Sequence, residues 1–288
     1  MIYNFKKDAK VFIYSSGVLY KIDIYPDITF SQTFKETDYD RKTLHEPLSL
    51  YKGGTINQAN VVNFSTTIPL RSTDTHSMLY SLMSPDYFSG NIQSFDIYVQ
   101  LNSVIYKVEQ SVIENVVYNI DMRSILTISI SGTAAKISTV PNLPTGSIVY
   151  PAGDYLAIRG IEVTIDDTLL DSIASMHIEI ANTITWLPYN TVHSAVASTT
   201  SYPYTYVLSG RRLSGSITQF LTDLSINQGA DYGTYPISID IYTSSSSTIL
   251  TFDLPETIFT RRLNVEDLIT RVYDFRLTSN ELFKYPEV

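Results

Sequence analysis

The most regular feature of the chain is an alternation of apolar and polar residues. Apolar residues occupy every second position in six segments, which begin at Tyr20, Leu126, Ile161, Met176, Ile237 and Leu250. A strand with one face in the core and the other in water has this period of two. Because each such strand covers a core from one side, the pattern predicts antiparallel sheets.

Helical spacing is clear in one short segment. Its apolar residues, which would share one helical face, are Met78, Leu79, Leu82 and Met83. Asp74 is placed to cap this helix, and Pro85 follows its end. A second helix is predicted from Asn264 to Arg271, where acidic residues come early and an arginine comes late. The fold class is therefore all-β with one or two short helices.

The chain also resembles itself at about half its length. Ser94–Tyr98 reads SFDIY and Ser238–Tyr242 reads SIDIY, a shift of 144 from position 94 to position 238. Two further matches keep the same order: Phe64-Ser65 with Leu213-Ser214, and Asn119-Ile120-Asp121 with Asn264-Val265-Glu266. A duplicated unit with loops of different length gives this pattern, although β-rich segments also share short strings by chance.

The repeat predicts two tandem antiparallel β-sandwich or barrel domains, which cover residues 1–138 and 153–288. Residues 139–152 between them are rich in Pro and Gly and are predicted to be a linker. Each half also contains one long polar and aromatic stretch between strands, at Lys35–Asn60 and at Trp186–Tyr206. Connections of this length are usually functional or disordered, and their aromatic residues favour docking on another molecule.

Composition excludes several classes of function. The chain has 288 residues and no cysteine, which excludes disulfides, thiolate nucleophiles and cysteine metal sites. Its 20 basic and 29 acidic residues give a net charge of −9, which argues against tight binding to nucleic acid. No apolar run is long enough to span a bilayer, so we expect a soluble protein without membrane contact.

No known catalytic pattern is present. The four histidines lack zinc-binding spacing, and no nucleophile elbow, phosphate loop or dinucleotide fingerprint occurs. His177 alternates with the apolar row of its strand and should point outward beside Glu179, while Asp166-Asp167 reads as a turn. We therefore predict no enzyme activity, no cofactor and no metal site.

Five segments together resemble the tail tube proteins of tailed bacteriophages. In the first half they are Leu19–Ile24 leading into Ile28–Gln32, followed by Asn63–Leu70. In the second half, Ile173–Ile180 followed by Ser209–Thr218 is similar to that family's two consecutive strands with a stacking loop between them. The resemblance covers most of the chain and consists of strand patterns rather than invariant residues.

This resemblance implies a virion structural protein, made in the cytoplasm of a bacterial host. Members of that family have a β-sandwich with a flanking helix, and neighbouring inner sheets join edge to edge into a ring. Rings stack into the hollow tail tube, through which DNA is ejected. Most members have one domain and form hexamers, so a two-domain chain should form trimeric rings. Its partners would be its own copies and sheath, baseplate or terminator proteins, with DNA as passing cargo repelled by an acidic bore.

The resemblance also suggests which residues make the contacts between rings and subunits. It assigns them to the two long stretches and to a C-terminal arm, Ser279–Val288. The predicted contact residues are Leu44, His45, Leu48, Tyr51, Trp186, Leu187, Tyr189, Tyr202, Tyr204, Tyr206, Leu282, Phe283 and Tyr285.

Three alternatives stay open at this point. The chain could be an adaptor or baseplate ring that begins or ends the tube. It could be a carbohydrate-binding module of a tail fibre, with Trp186 and surface tyrosines as stacking platforms for sugars. It could also be a glycoside hydrolase with an unrecognised pair of carboxylates.

Overall fold

The protein is almost entirely β-structure, interrupted by one short helix in the part that is described. The computed structural model describes residues 9–23, 28–39, 53–71, 75–83, 90–121, 124–187, 202–222, 233–244, 247–265 and 268–278. Below, the first half means the described residues up to Val140, and the second half means those from Gly160 onward.

The first half and the connection after it contain eleven strands and the helix α1 (Thr75–Met83). The strands are β1 (Lys10–Ser15), β2 (Val18–Ile22), β3 (Thr29–Ser31), β4 (Phe34–Tyr39), β5 (Gly53–Ala59), β6 (Val62–Pro69), β7 (Phe95–Leu101), β8 (Val104–Asp121), β9 (Thr127–Ala134), β10 (Lys136–Val140) and β11 (Ser147–Val149).

The second half contains seven described strands. They are β12 (Gly160–Ile165), β13 (Thr168–Leu170), β14 (Ile173–Leu187), β15 (Thr205–Phe220), β16 (Gly233–Ser244), β17 (Ser247–Val265) and β18 (Ile269–Leu277). The all-β prediction is confirmed, and the described strand pairs are antiparallel except β2 with β11.

Both halves use the same order of strand pairing. In the first half, hydrogen-bonded neighbours follow the order β2-β1-β7-β8-β9-β6-β3. In the second half, they follow β13-β12-β16-β17-β18-β15-β14. Each strand of the first series has its counterpart at the same place of the second series. The order of strands along the chain is also the same in the two series, so the halves share one topology.

The first hairpin of each half has the same kind of turn. Ser16 and Gly17 join β1 to β2 with φ values of 51° and 84°, and Asp166 and Asp167 join β12 to β13 with 48° and 60°. Two-residue turns with two positive φ angles match the right-handed twist of the flanking strands. The turn predicted at Asp166-Asp167 is confirmed.

The core lies under the apolar faces of these sheets. The alternating residues Met176, Ile178 and Ile180 are buried, whereas His177 and Glu179 are only half-buried on the other face. The predicted helix is confirmed as α1, whose Leu82 and Met83 are fully buried in the same core. Burial of this one apolar stripe stabilises a nine-residue helix that would be marginal alone.

The helix predicted from Asn264 to Arg271 is wrong. Asn264 and Val265 end β17, Ile269 begins β18, and these strands pair across a short connection. The charge order that suggested a helix contributes little energy compared with a ladder of nine paired positions on each strand.

The long stretches predicted between strands are partly strands themselves. β4 begins at Phe34, one residue before the first stretch, and pairs with β5 inside it. In the second stretch, β14 continues to Leu187 and β15 begins at Thr205. Their tips, residues 40–52 and 188–201, lie outside the described residues. The body therefore carries two long hairpins, β3-β4 with β5-β6 and β14 with β15, at corresponding places in the two halves.

The segment predicted as a linker, residues 139–152, also takes part in the sheet. It contains the end of β10, which pairs with β8, and β11, which extends the edge of β2. Just after it, Arg71 donates to the carbonyl of Gly153 at 2.8 Å and to the Tyr155 hydroxyl at 2.9 Å. The same guanidinium forms a 2.6 Å ion pair with Asp23, so the connection is fixed to the first half. The division into two domains stays a prediction.

Candidate assembly surface

The two halves are joined edge to edge by β8 and β14. Seven residue pairs run antiparallel between residues 115–121 of β8 and residues 175–181 of β14. The N-terminal part of β8 pairs with β7 on the same side, so β14 continues the ladder where β7 ends. This junction turns the two halves into one continuous sheet.

Polar side chains add hydrogen bonds on one face of the junction. His177 Nδ1 lies 2.9 Å from Asn119 Oδ1, and Asn115 Nδ2 donates to Glu179 Oε1 at 3.0 Å. On the buried face, just past the last pair, Asn182 donates to the carbonyl of Ile113 at 3.1 Å. These bonds fix the register of β8 against β14.

The other face of the junction is apolar. Val116, Tyr118 and Ile120 of β8 are fully buried, although they lie at the border of the first half. The Tyr118 ring lies 5.4 Å from that of Phe252 in β17, an edge-to-face contact with the core of the second half. Burial lowers the pKa of the neighbouring Arg211 to about 10, and its interaction with Tyr118 opposes the shift.

Three of the predicted contact residues hold the halves together within one chain. Trp186 Nε1 donates to Thr133 Oγ1 at 2.8 Å, and its ring lies 5.3 Å from the Tyr206 ring. The Tyr206 hydroxyl donates to the carbonyl of Ile92 at 2.5 Å. Tyr202 lies under the Lys136 ammonium, at 4.9 Å from the ring centroid. The base of the β14-β15 hairpin is thereby anchored on the first half.

The remaining predicted contact residues divide into two groups. Leu187 and Tyr204 are exposed near the base of the same hairpin, with 46% and 60% of their surface accessible. The others lie outside the described residues: Leu44, His45, Leu48, Tyr51, Tyr189, Leu282, Phe283 and Tyr285. The role of all of these residues in contacts between copies stays a prediction.

Sequence reasoning missed an exposed apolar segment, residues 260–265 at the end of β17. The described pairing of β17 with β16 ends at Phe259, opposite Gly233, where the described part of β16 begins. Leu263 and Val265 on this segment are 57% and 71% exposed. The repeat contained the signal, because the shift of 145 that relates Asn119 to Asn264 also relates the buried Tyr118 to Leu263.

Among the described strands, β3 lies at an edge of the sheet. β3 pairs with β6, and no other described strand lies beside it. Its counterpart β14 has two neighbours, β15 and β8. Near this edge the rings of Phe30 and Tyr106 lie 5.9 Å apart, and both are half-buried. Unpaired edges attract further strands, so natural proteins usually protect or use them.

The polar face of the joined sheet differs between the halves. In the first half it carries hydroxyl pairs, such as Thr29 with Ser65 at 2.8 Å and Thr67 with Ser129 at 3.1 Å. In the second half an open groove of about 370 Å³ is lined by polar side chains, which include His177, Glu179, Arg212, Asp274 and Arg276. Arg262 forms a 3.1 Å ion pair with Asp274 beside this groove.

Within the described part of the chain, no group of three or more His, Asp or Glu side chains is arranged to hold a metal ion. The described helix is also too short to cross a membrane.

Comparison with known proteins identifies the family. A family profile described as the Bacteriophage Baseplate Tube Protein Family matches residues 1–281, almost the whole chain. A search of curated proteins finds no match. The match agrees with the resemblance to phage tail tube proteins and with the β-structure of the chain. The chain belongs to the bacteriophage baseplate tube protein family.

Proposed function

We propose that this phage structural protein forms rings that stack into a baseplate tube through which DNA leaves the virion. Each ring would contain three copies, which supply six similar halves around a central bore. The number six comes from the resemblance to hexameric tail tube proteins, in which each chain contributes one domain. A duplicated chain would therefore need half as many copies.

The β8–β14 junction carries this proposal. It joins two halves of the same strand order edge to edge, through seven backbone pairs and an apolar layer around Tyr118. When like units are joined by one kind of contact, repetition of that contact gives a closed ring or an open helix. We therefore take the β8–β14 junction as the template for the contact between neighbouring halves around the ring.

The two long hairpins support contacts between stacked rings. They occupy corresponding places in the two halves, and Leu187 and Tyr204 expose apolar surface near the base of one of them. Six hairpins per ring would then meet the next ring, together with the C-terminal arm. On this proposal, Leu44, His45, Leu48, Tyr51 and Tyr189 contribute from the hairpin tips.

We assign the polar face of the sheet to the bore. The sequence predicts an acidic bore, but this face is hydroxyl-rich in the first half and carries both signs of charge in the second half. Asp274 is paired with Arg262, and Glu179 accepts a hydrogen bond from Asn115. DNA would pass because hydroxyls and paired charges provide few of the cationic contacts that bind phosphates tightly.

A single adaptor ring at the start of the tube is the second candidate function. The family description, which names a baseplate tube, favours a position at the baseplate over a long tail tube. A sugar-binding role gains no support from Trp186, because its indole N–H and ring contact Thr133 and Tyr206 of the same chain.

Electron microscopy of the concentrated protein tests the proposal. Light scattering after size exclusion should give three times the 32.4 kDa mass of the chain, and class averages should show hollow rings with pseudo-sixfold symmetry. Stacks of many rings would favour a tube subunit, and single rings an adaptor. A protein that stays monomeric and shows no rings at high concentration would contradict both.

A further inference from the structure

The groove on the polar face of the second half consists of small residues between long ones. Ser214 and Ser216 of β15 form its floor, and its volume is about 370 Å³. Ser214 pairs with Glu179 of β14 on one side and with Arg276 of β18 on the other side. Long side chains of the two neighbouring strands therefore rise on both sides of a floor of hydroxyl groups.

Both carboxylates of the groove already have a partner. Arg262 donates to Asp274 through Nε at 3.1 Å and through Nη2 at 3.2 Å, so this pair is neutral as a whole. Glu179 accepts a hydrogen bond from Asn115 Nδ2 at 3.0 Å. These contacts hold the acidic side chains on their own strands and their outer neighbours.

The two other arginines of the groove, Arg212 and Arg276, are not paired in this way. Both are exposed, and neither forms an ion pair or a side-chain hydrogen bond with any residue that the structure describes. Arg276 pairs with Ser214, and Arg212 precedes Ser214 by two residues on the same strand, so the two arginines occupy diagonal positions. Diagonal neighbours lie about 7–8 Å apart, which allows two long side chains to reach one common point.

We propose that this groove binds a phosphate group between Arg212 and Arg276. A guanidinium group is planar and can donate two parallel hydrogen bonds to phosphate oxygens. The hydroxyls of Ser214 and Ser216 have no hydrogen-bond partner among the described residues and would donate from the floor. Because the groove is open to water, we expect an affinity on the order of millimolar.

A bound phosphate would neutralise the arginines on the face that we assign to the bore. Duplex DNA would then meet fewer cationic groups on its way through the ring. The site goes beyond the proposed function and does not require the ring, because all of its residues belong to one chain. A free phosphate ion and a phosphate of the DNA backbone share the chemistry that this groove would recognise.

The first test is a titration of the full-length protein with inorganic phosphate, followed by phosphorus NMR in a buffer free of other oxyanions. We expect the phosphate resonance to broaden and the effect to saturate at one phosphate per chain. The double variant Arg212→Gln, Arg276→Gln should weaken binding at least tenfold without a change in its circular dichroism spectrum. Arg159→Gln is the matched control, since Arg159 is also exposed but does not line the groove, and it should bind like the wild type.

A second variant tests the charge balance of the groove in the opposite direction. Glu179→Gln removes a negative charge opposite Ser214 and keeps an oxygen that can accept from Asn115. The variant should bind phosphate about two- to fivefold more tightly, because a nearby like charge no longer opposes the anion. Binding that is unchanged or weaker in this variant would contradict the proposed position of the phosphate.

Competition with a short DNA duplex, at an equal concentration of phosphate groups, distinguishes the two sources of the ligand. Displacement of the free ion would identify the DNA backbone as a ligand, and unchanged binding would identify the free ion; both results support the site. Equal binding by the wild type and the double arginine variant would overturn the inference, as would a wild type that does not bind phosphate. Neither of these two results affects the ring proposal, and a protein without rings could still bind phosphate.

Discussion

At the scale of single residues, two glycines allow aromatic rings to lie flat across neighbouring strands. Phe64 is paired with Gly132 in the first half, and Phe275 with Gly215 in the second half. A Cβ at Gly132 would lie 2.7 Å from the Phe64 ring and even closer to the carbonyl oxygen of Val112. A side chain at position 132 would therefore have to displace both the ring and the backbone.

We predict that Gly132→Ala destabilises the fold by about 1–3 kcal/mol, because overpacking displaces a buried ring and backbone atoms. Gly210→Ala is the matched control, since the nearest atoms to its added Cβ lie at 3.8 Å and 3.9 Å. Its free energy of unfolding should change by less than about 0.5 kcal/mol. Urea denaturation of both variants checks this; equal stability of the two would contradict the steric argument.

A chain of side-chain hydrogen bonds connects the halves at Thr133. Its hydroxyl accepts from Trp186 and donates to Glu114 Oε1 at 2.6 Å. Burial raises the pKa of Glu114, while the hydrogen bond from Thr133 opposes this shift. The folded protein thus binds a proton at Glu114 more tightly than the unfolded chain does.

The raised pKa of Glu114 predicts how stability depends on pH. Between the ordinary glutamate pKa and the raised folded one, the folded state carries more bound protons, so stability falls as pH rises through this window. Glu114→Gln, which cannot ionise, should be more stable than the wild type at pH 7 and should lose this part of the slope. Urea denaturation between pH 4 and 7 measures both effects. An identical slope in the variant would contradict the prediction.

At the scale of elements, β8 is the strand on which the two halves depend. It pairs with β7 and β10 near its start and with β9 and β14 near its end. The alternating segments of the sequence did not include this region, and no pattern indicated that the second half would supply one of its neighbours. Pairing partners that are distant along the chain are decided by tertiary packing.

We predict that Tyr118→Ala destabilises the protein by about 3–5 kcal/mol, because it leaves a cavity beside Phe252 between the halves. Val117→Ala, on the polar face of the same strand, is the control and should cost less than about 1 kcal/mol. Thermal unfolding followed by circular dichroism compares them. Equal shifts in the melting temperature would show that Tyr118 has no special part in joining the halves.

The prediction of helices shows the limits of local signals. α1 was predictable because four apolar residues at helical spacing follow an aspartate, a residue type that favours helix starts, and precede a proline. The segment from Asn264 to Arg271 had only a favourable charge order, and its described residues belong to β17 and β18, apart from Leu268. A weak local preference was overridden by the pairing of two long strands.

At the scale of the whole molecule, net charge and surface charge have different consequences. The chain has a net charge of −9, but the polar face of the second half carries Arg212, Arg262 and Arg276 beside Glu179 and Asp274. The net charge alone predicts an acidic bore. On the face that we assign to the bore, however, arginine side chains balance the acidic ones.

We predict that the assembled protein does not retain duplex DNA at physiological salt. Fluorescence anisotropy with a labelled duplex should show no saturation below about 100 µM, the weak end of non-specific binding. The double variant Glu179→Lys, Asp274→Lys should bind more tightly and in a salt-dependent way, since it leaves the arginines of this face without acidic neighbours. Saturation of the wild type at low micromolar protein would contradict the proposed passive conduit.

The sequence by itself determined the β-class, the helix α1, the turn at Asp166-Asp167 and the buried face of strands such as β14. These features depend on residues within one element, where period and turn chemistry are sufficient. It also contained the repeat that relates Tyr118 to Leu263.

Only the tertiary structure decided what that repeat means for each half. Tyr118 is buried and Leu263 is exposed, although the two residues occupy similar places in similar strands. Their difference depends on whether another half lies beside the strand, and no local pattern encodes the presence of a neighbour. For the same reason the structure, not the sequence, showed that residues 115–121 of β8 lie beside β14.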